Sequence, residues 1–88
     1  MENLYLLIDL DTTSRARQVA ESLRHKPYVR FVDPVTGPHD VIVVLEGCDN
    51  GGQCFKTLVD IQQTEGVRYV TACYAIRPQF GNGNGTEK

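Results

Sequence analysis

Asp40-Val41-Ile42-Val43-Val44-Leu45-Glu46 is apolar at every position between its two acidic ends, and four of those five apolar residues are β-branched. β-Branched side chains pack well on a pleated surface and project alternately to its two sides, so the run reads as a strand buried on both faces. A strand of that kind belongs in the middle of a sheet. Residues 4–10 read the same way: Leu4, Leu6, Ile8 and Leu10 share one face, and Tyr5 and Leu7 make the other apolar as well. Two central strands predict a sheet with two further strands at its edges.

The remaining elements fall around these two. Asp11 to Ser14 offers helix N-cap residues, and Ala16, Val19, Ala20 and Leu23 follow at the spacing of an amphipathic helix that Pro27 stops. Residues 28–35 read as a second strand, with Pro34 marking an edge, and Thr36-Gly37-Pro38-His39 as a turn. After the third strand, Asp49 or Asn50 caps a second helix, with Gln53 completing a capping box on Asn50. Its apolar stripe is read as Cys54, Phe55, Leu58, Val59 and Ile61, and Gly66 ends it. Residues 67–76 form the fourth strand. One domain over residues 1–77 and a flexible Gly/Asn-rich tail over 78–88 are expected.

An internal echo supports this βαββαβ order. Moving the chain from 29 to 67 lays Val29-Arg30-Phe31-Val32 on Val67-Arg68-Tyr69-Val70, and the same shift lays Ala16 on Cys54 and Leu23 on Ile61. Two βαβ halves side by side give an α+β, ferredoxin-like fold: a four-stranded antiparallel sheet with both helices on one face. Two helices cover only one face of such a sheet. The other would carry Tyr5, Leu7 and either Ile42 with Val44 or Val41 with Val43, an apolar surface larger than a monomer usually leaves in water. Association of two copies through their sheets, in the manner of a dimeric α/β barrel, is the expected remedy. It also suits a chain of 88 residues, which buries only roughly 60% of its unfolded surface and gains stability from a partner.

Composition narrows the partners. Nine basic and eleven acidic residues give a net charge of −2 with no basic stripe, which argues against direct nucleic-acid binding. No apolar run reaches the roughly 18 residues of a membrane span, and no charged leader precedes the first strand. Three cysteines, Cys48, Cys54 and Cys73, are an odd number outside any C-x-x-C spacing, and are read as reduced thiols of a cytoplasmic protein. Cys48 and Cys54 with His25 or His39 match no structural zinc pattern, so neither metal nor cofactor is expected.

The segment from Val35 to Glu46, with Thr36-Gly37-Pro38-His39-Asp40 entering a buried strand, closely resembles the signature of the effector-binding domain of the Lrp/AsnC (feast/famine) transcription regulators. Tyr5-Leu6-Leu7-Ile8-Asp9 and Val67-Arg68-Tyr69-Val70-Thr71 agree with it, so the resemblance covers about residues 3–77. Regulators of that family usually carry an N-terminal helix-turn-helix, for which there is no room before Leu4; the resemblance is to the stand-alone domain. It implies a homodimer with facing sheets, often assembled into higher multiples of dimers. It further implies an amino acid or related metabolite bound between subunits near the hairpin, with a full-length Lrp/AsnC relative as a possible partner. Gly37 and Asp40 match the family's characteristic positions, Thr36, Pro38 and His39 complete that loop, and Thr71 and Cys73 fall on the stretch that contributes to the cleft wall.

The loop's own chemistry fits either of two roles. Gly37 allows φ > 0 and close approach of a ligand to the backbone, Pro38 holds the loop in one shape, and Asp40 can accept hydrogen bonds from a ligand ammonium. Alternatively this is a hairpin turn in which Asp40 satisfies loop amides. His39 has no acidic partner placed by any motif and reads as a solvent-facing loop residue. A regulatory, non-enzymatic binding module is therefore favoured. The alternative is a small dimeric α/β-barrel enzyme of the cofactor-free monooxygenase or isomerase type, which would place His, Trp, Tyr or Asn in a sheet-lined pocket. An RNA-recognition module shares the element order but needs aromatic and basic residues on the third strand, where residues 40–46 have none.

Overall fold

The computed structural model describes residues 3–47 and 52–74. Strand β1 (Asn3–Leu10) leads through a 3-10 turn (Thr13–Arg15) into α1 (Ala16–Leu23); β2 (Val29–Pro34) and β3 (Val41–Glu46) follow, then α2 (Gly52–Gln62) and β4 (Val67–Tyr74). The sheet runs β2-β3-β1-β4 and every neighbouring pair is antiparallel. This is the ferredoxin-like α+β fold, with the two doubly apolar strands at its centre.

Burial alternates strictly along β1 and β3. Leu4, Leu6, Ile8, Val41, Val43 and Leu45 turn toward the helices, where Val19, Ala20 and Leu23 of α1 and Cys54 and Ile61 of α2 complete one continuous core. Each fully buried Leu or Ile contributes about 1.5–3 kcal/mol, so the core stands on a handful of residues. The register of β3 resolves the open alternative: Val44 lies opposite Tyr5 and Ile42 opposite Leu7, on the face away from the helices. The sequence echo keeps its spacing for α1 and α2 and for the two edge strands. The central strands are offset by one residue, since core-facing Leu4, Leu6 and Ile8 correspond to Val41, Val43 and Leu45.

Several local expectations are corrected. Thr12 at the N-terminal end of the 3-10 turn makes no side-chain cap bond; the turn is closed instead by the Arg15 N–H donating to the Thr12 carbonyl at 3.0 Å. Tyr28 does not begin β2 but sits at φ 67, and its carbonyl accepts from the Glu46 N–H at 2.9 Å. Phe55, read as core, is 61% exposed. Thr57 takes the buried place, donating its hydroxyl to the Pro27 carbonyl at 3.1 Å. The buried positions Cys54, Thr57 and Ile61 are spaced by three and four, which a purely hydropathic reading of the helix misses because one of them is a threonine. Cys54, expected as a reduced thiol, is disulfide-bonded, while Cys73 is free and exposed. The expected caps Asp49 and Asn50, the last two residues of the predicted fourth strand and the tail lie outside the described residues.

Candidate functional site

The hairpin between β2 and β3 is built by local hydrogen bonding. The Val35 N–H donates to the Asp40 carbonyl at 2.9 Å, and the Asp40 N–H donates to the Ile8 carbonyl at 2.9 Å, tying the loop to the end of β1. Gly37 has φ +124 and open space where a side chain would stand, so its conformation, not crowding, requires glycine. Both oxygens of Asp40 are engaged within the chain. The Leu10 N–H donates to Oδ2 at 2.8 Å and the Thr13 hydroxyl to Oδ1 at 3.1 Å. Asp40 thus joins the hairpin, the end of β1 and the entry to α1.

His39 turns the other way. Its Nδ1 lies 2.8 Å from Asp9 Oδ1, with the two side chains 29% and 31% exposed. The solvent-facing histidine expected from sequence is instead half-buried and has an acidic partner. Asp9 was not among the anticipated site residues. Its cue was available: on the face marked by Tyr5 and Leu7, Asp9 is where the apolar alternation stops.

Across the sheet face that no described residue covers, the registers define two rows, Phe31–Val44–Tyr5–Cys73 and Asp33–Ile42–Leu7–Thr71, with Tyr69 opposite Asp9 beyond them. Phe31 and Tyr69, equivalent in the two halves, are 48% and 62% exposed on the edge strands. Thr71 and Cys73 share this face, but β1 separates them from β3 and its hairpin by two strand spacings, roughly 10 Å. Thr36 lies on the helix side, where with Thr13, Ser14, Arg17, Pro34 and Val35 it lines an open groove of about 700 Å³. The anticipated residues are therefore not one pocket in a single chain: Thr36 and Asp40 gather around Thr13 at the entry to α1, while His39, through Asp9, shares the sheet face of Thr71 and Cys73. Among the described residues no cluster of three His, Cys, Asp or Glu could hold a metal, and no helix is long and apolar enough to cross a membrane.

No protein-family model and no curated protein sequence matches the chain. Solved structures do. TTHA0845 from Thermus thermophilus superposes with a TM-score of 0.76 at 25% identity, over 89% of this chain and 96% of that one. E. coli AsnC superposes with a TM-score of 0.72 at 12% identity, over 94% of this chain and 56% of AsnC. The chain has the fold of the matched half of AsnC. The transcriptional regulator NMB0573 of Neisseria meningitidis in complex with L-Met gives a TM-score of 0.71 at 17% identity, over 90% of this chain and 52% of the regulator. This chain spans about half the length of these two regulators. The fold alone does not set the activity: the E. coli Tat proofreading chaperone NapD shares it, with a TM-score of 0.69 at 22% identity over 93% of this chain and 84% of NapD.

Proposed function

We propose that this chain is an amino-acid-responsive, self-associating regulatory module of the Lrp/AsnC type, acting on transcription or metabolism through partners and not by catalysis. The observation that carries the reading is the uncovered sheet face, whose centre is Tyr5, Leu7, Ile42 and Val44 and whose rim carries the hairpin from Thr36 to Asp40. A face this apolar is suited to a second copy. The fold it shares with an L-Met-bound regulator supports a small amino acid as the ligand. In this reading Gly37, Pro38 and His39 line the cleft between copies, Thr71 and Cys73 contribute from its walls, Asp40 shapes the loop, and Thr36, on the helix side, stands outside the cleft.

The test has two parts. Light scattering at micromolar concentration should give a dimer or a multiple of dimers. A thermal-shift screen of the twenty amino acids should then find at least one that raises the melting temperature, since a ligand at 100 times its dissociation constant adds about 2.7 kcal/mol. A monomer unmoved by all twenty would remove the proposal. The enzyme alternative draws on the His39–Asp9 pair, the arrangement of an oriented base. Against it, neither His39 nor Asp9 lines any of the three described grooves.

A further inference from the structure

We infer that the His39–Asp9 pair is a binding site for a primary ammonium carrying an apolar tail, and that Asp9, not Asp40, is the carboxylate that recognises the ligand. The inference rests on the reading of the chain as an amino-acid-binding module and assigns the polar end of that ligand. Two carboxylates flank the hairpin. Each oxygen of Asp40 already has a partner within the chain, Leu10 N–H at Oδ2 and Thr13 Oγ1–H at Oδ1. Asp9 has a single partner among the described residues, His39, bound at Oδ1.

The chemistry of that contact decides what the pair can take. An ionised carboxylate only accepts hydrogen bonds, so the hydrogen between Nδ1 and Oδ1 belongs to the imidazole. With the proton on Nδ1, the neutral ring leaves Nε2 as a lone-pair acceptor, and Asp9 keeps Oδ2 as a second. With the ring in that neutral form the pair offers two acceptors, a net negative charge and no free donor. A ligand carboxylate or phosphate is repelled by such an arrangement. A primary ammonium, with three donors and a positive charge, complements it, and its hydrogen bonds are of the stronger charge-assisted kind.

The surroundings supply the rest of the ligand. Leu7 is two residues before Asp9 on the same strand face, with Ile42 directly across in β3, so an aliphatic tail leaving the ammonium meets an apolar floor. Tyr69 stands opposite Asp9 in β4, with the Arg68 guanidinium 5.6 Å from its ring centroid. Amino acids with aliphatic or thioether side chains and simple aliphatic amines share the ammonium-and-tail chemistry.

Isothermal titration of the full chain with L-leucine, L-methionine and isoamylamine (leucine without its carboxyl) tests this. The wild type should bind at least one of the three. Asp9→Asn keeps an oxygen for the Nδ1–H but loses the charge and an acceptor, and should weaken that binding tenfold or more while leaving the unliganded melting temperature within a degree or two. Isoamylamine binding as tight as leucine places the recognition in the ammonium alone; tighter leucine binding adds the carboxylate. Unchanged affinity in Asp9→Asn overturns the inference and leaves the binding-module reading intact. A wild type that binds no amino acid with an apolar side chain but does bind one with a polar or charged side chain also overturns the inference alone, and one that binds no amino acid overturns both. If Asp9→Asn melts well below the wild type, His39→Gln repeats the test from the other partner, and undiminished binding there overturns the inference equally.

Discussion

Asp40 and Asp9 lie on either side of one hairpin and have opposite occupations. Asp40 commits both oxygens to Leu10 N–H and Thr13 Oγ1–H, closing the junction between β1 and α1. Its removal leaves a part-buried amide without a partner, which costs about 1–3 kcal/mol. Asp40→Ala should therefore lower the unliganded melting temperature by several degrees, and by more than Asp9→Asn does; scanning calorimetry of the three proteins checks it. An unchanged melting temperature in Asp40→Ala would mean that these bonds do not hold the loop, and would return Asp40 to the ligand contacts. His39 carries its own prediction. Long-range proton–nitrogen correlation spectra near neutral pH should show the tautomer with hydrogen on Nδ1, because Asp9 can only accept there. The Nε2 tautomer would break the two-acceptor argument.

Among the elements, α2 is the one whose inward face is set by packing more than by hydropathy. Its buried side includes Thr57 and leaves Phe55 outside. Phe55→Ser should change stability by no more than about 0.5 kcal/mol, as surface substitutions do. Ile61→Ala, at a fully buried position, should cost about 2–5 kcal/mol. Denaturant titrations of both variants separate the corrected stripe from the hydropathic one, which would have both substitutions damage the core. The connection from α2 to β4 is likewise fixed by local geometry. The helix ends at Gln62, short of the Gly66 expected to stop it; Gly66 lies at φ +94 in the turn that follows, and its carbonyl accepts from the Asp11 N–H at 2.9 Å, joining this turn to the end of β1.

At the scale of the whole molecule, one face of the sheet is sealed by helices and no described residue covers the other. Leu7 sits near the middle of the uncovered face, half-buried within one chain, with Ile42 and Thr71 to its sides. A glutamate there can still reach water in a monomer but would be an unpaired buried charge between two sheets. Leu7→Glu should therefore reduce the mass seen by light scattering to that of one chain while the far-ultraviolet circular dichroism keeps its shape. An oligomer of unaltered mass in the variant would place the association surface elsewhere. The net charge of −2 bears on the molecule as a whole too: purified protein should leave duplex DNA unshifted at moderate salt. Salt-sensitive retardation by this chain alone would contradict the reading that it acts through partners.

Alternation at Leu4 to Leu10, the β-branched run from Val41 to Val44 and the helical spacing of Ala16 to Leu23 were enough to specify strand, helix and their order, because each is a local periodicity that burial on one or both faces demands. They were also enough to predict an uncovered apolar face. Which β3 residues occupy it could not be read, since a slip of one residue exchanges the two faces of a strand that is apolar on both. Nor could the partners of Asp40 and His39 be read. Thr13 is 27 residues from Asp40, and Asp9 is 30 from His39. Only the antiparallel pairing of β1 with β3 brings the end of one strand to the start of the other. That pairing places Asp40 against the backbone it satisfies and sets Asp9, a residue with no motif of its own, beside the imidazole at the rim of the open face.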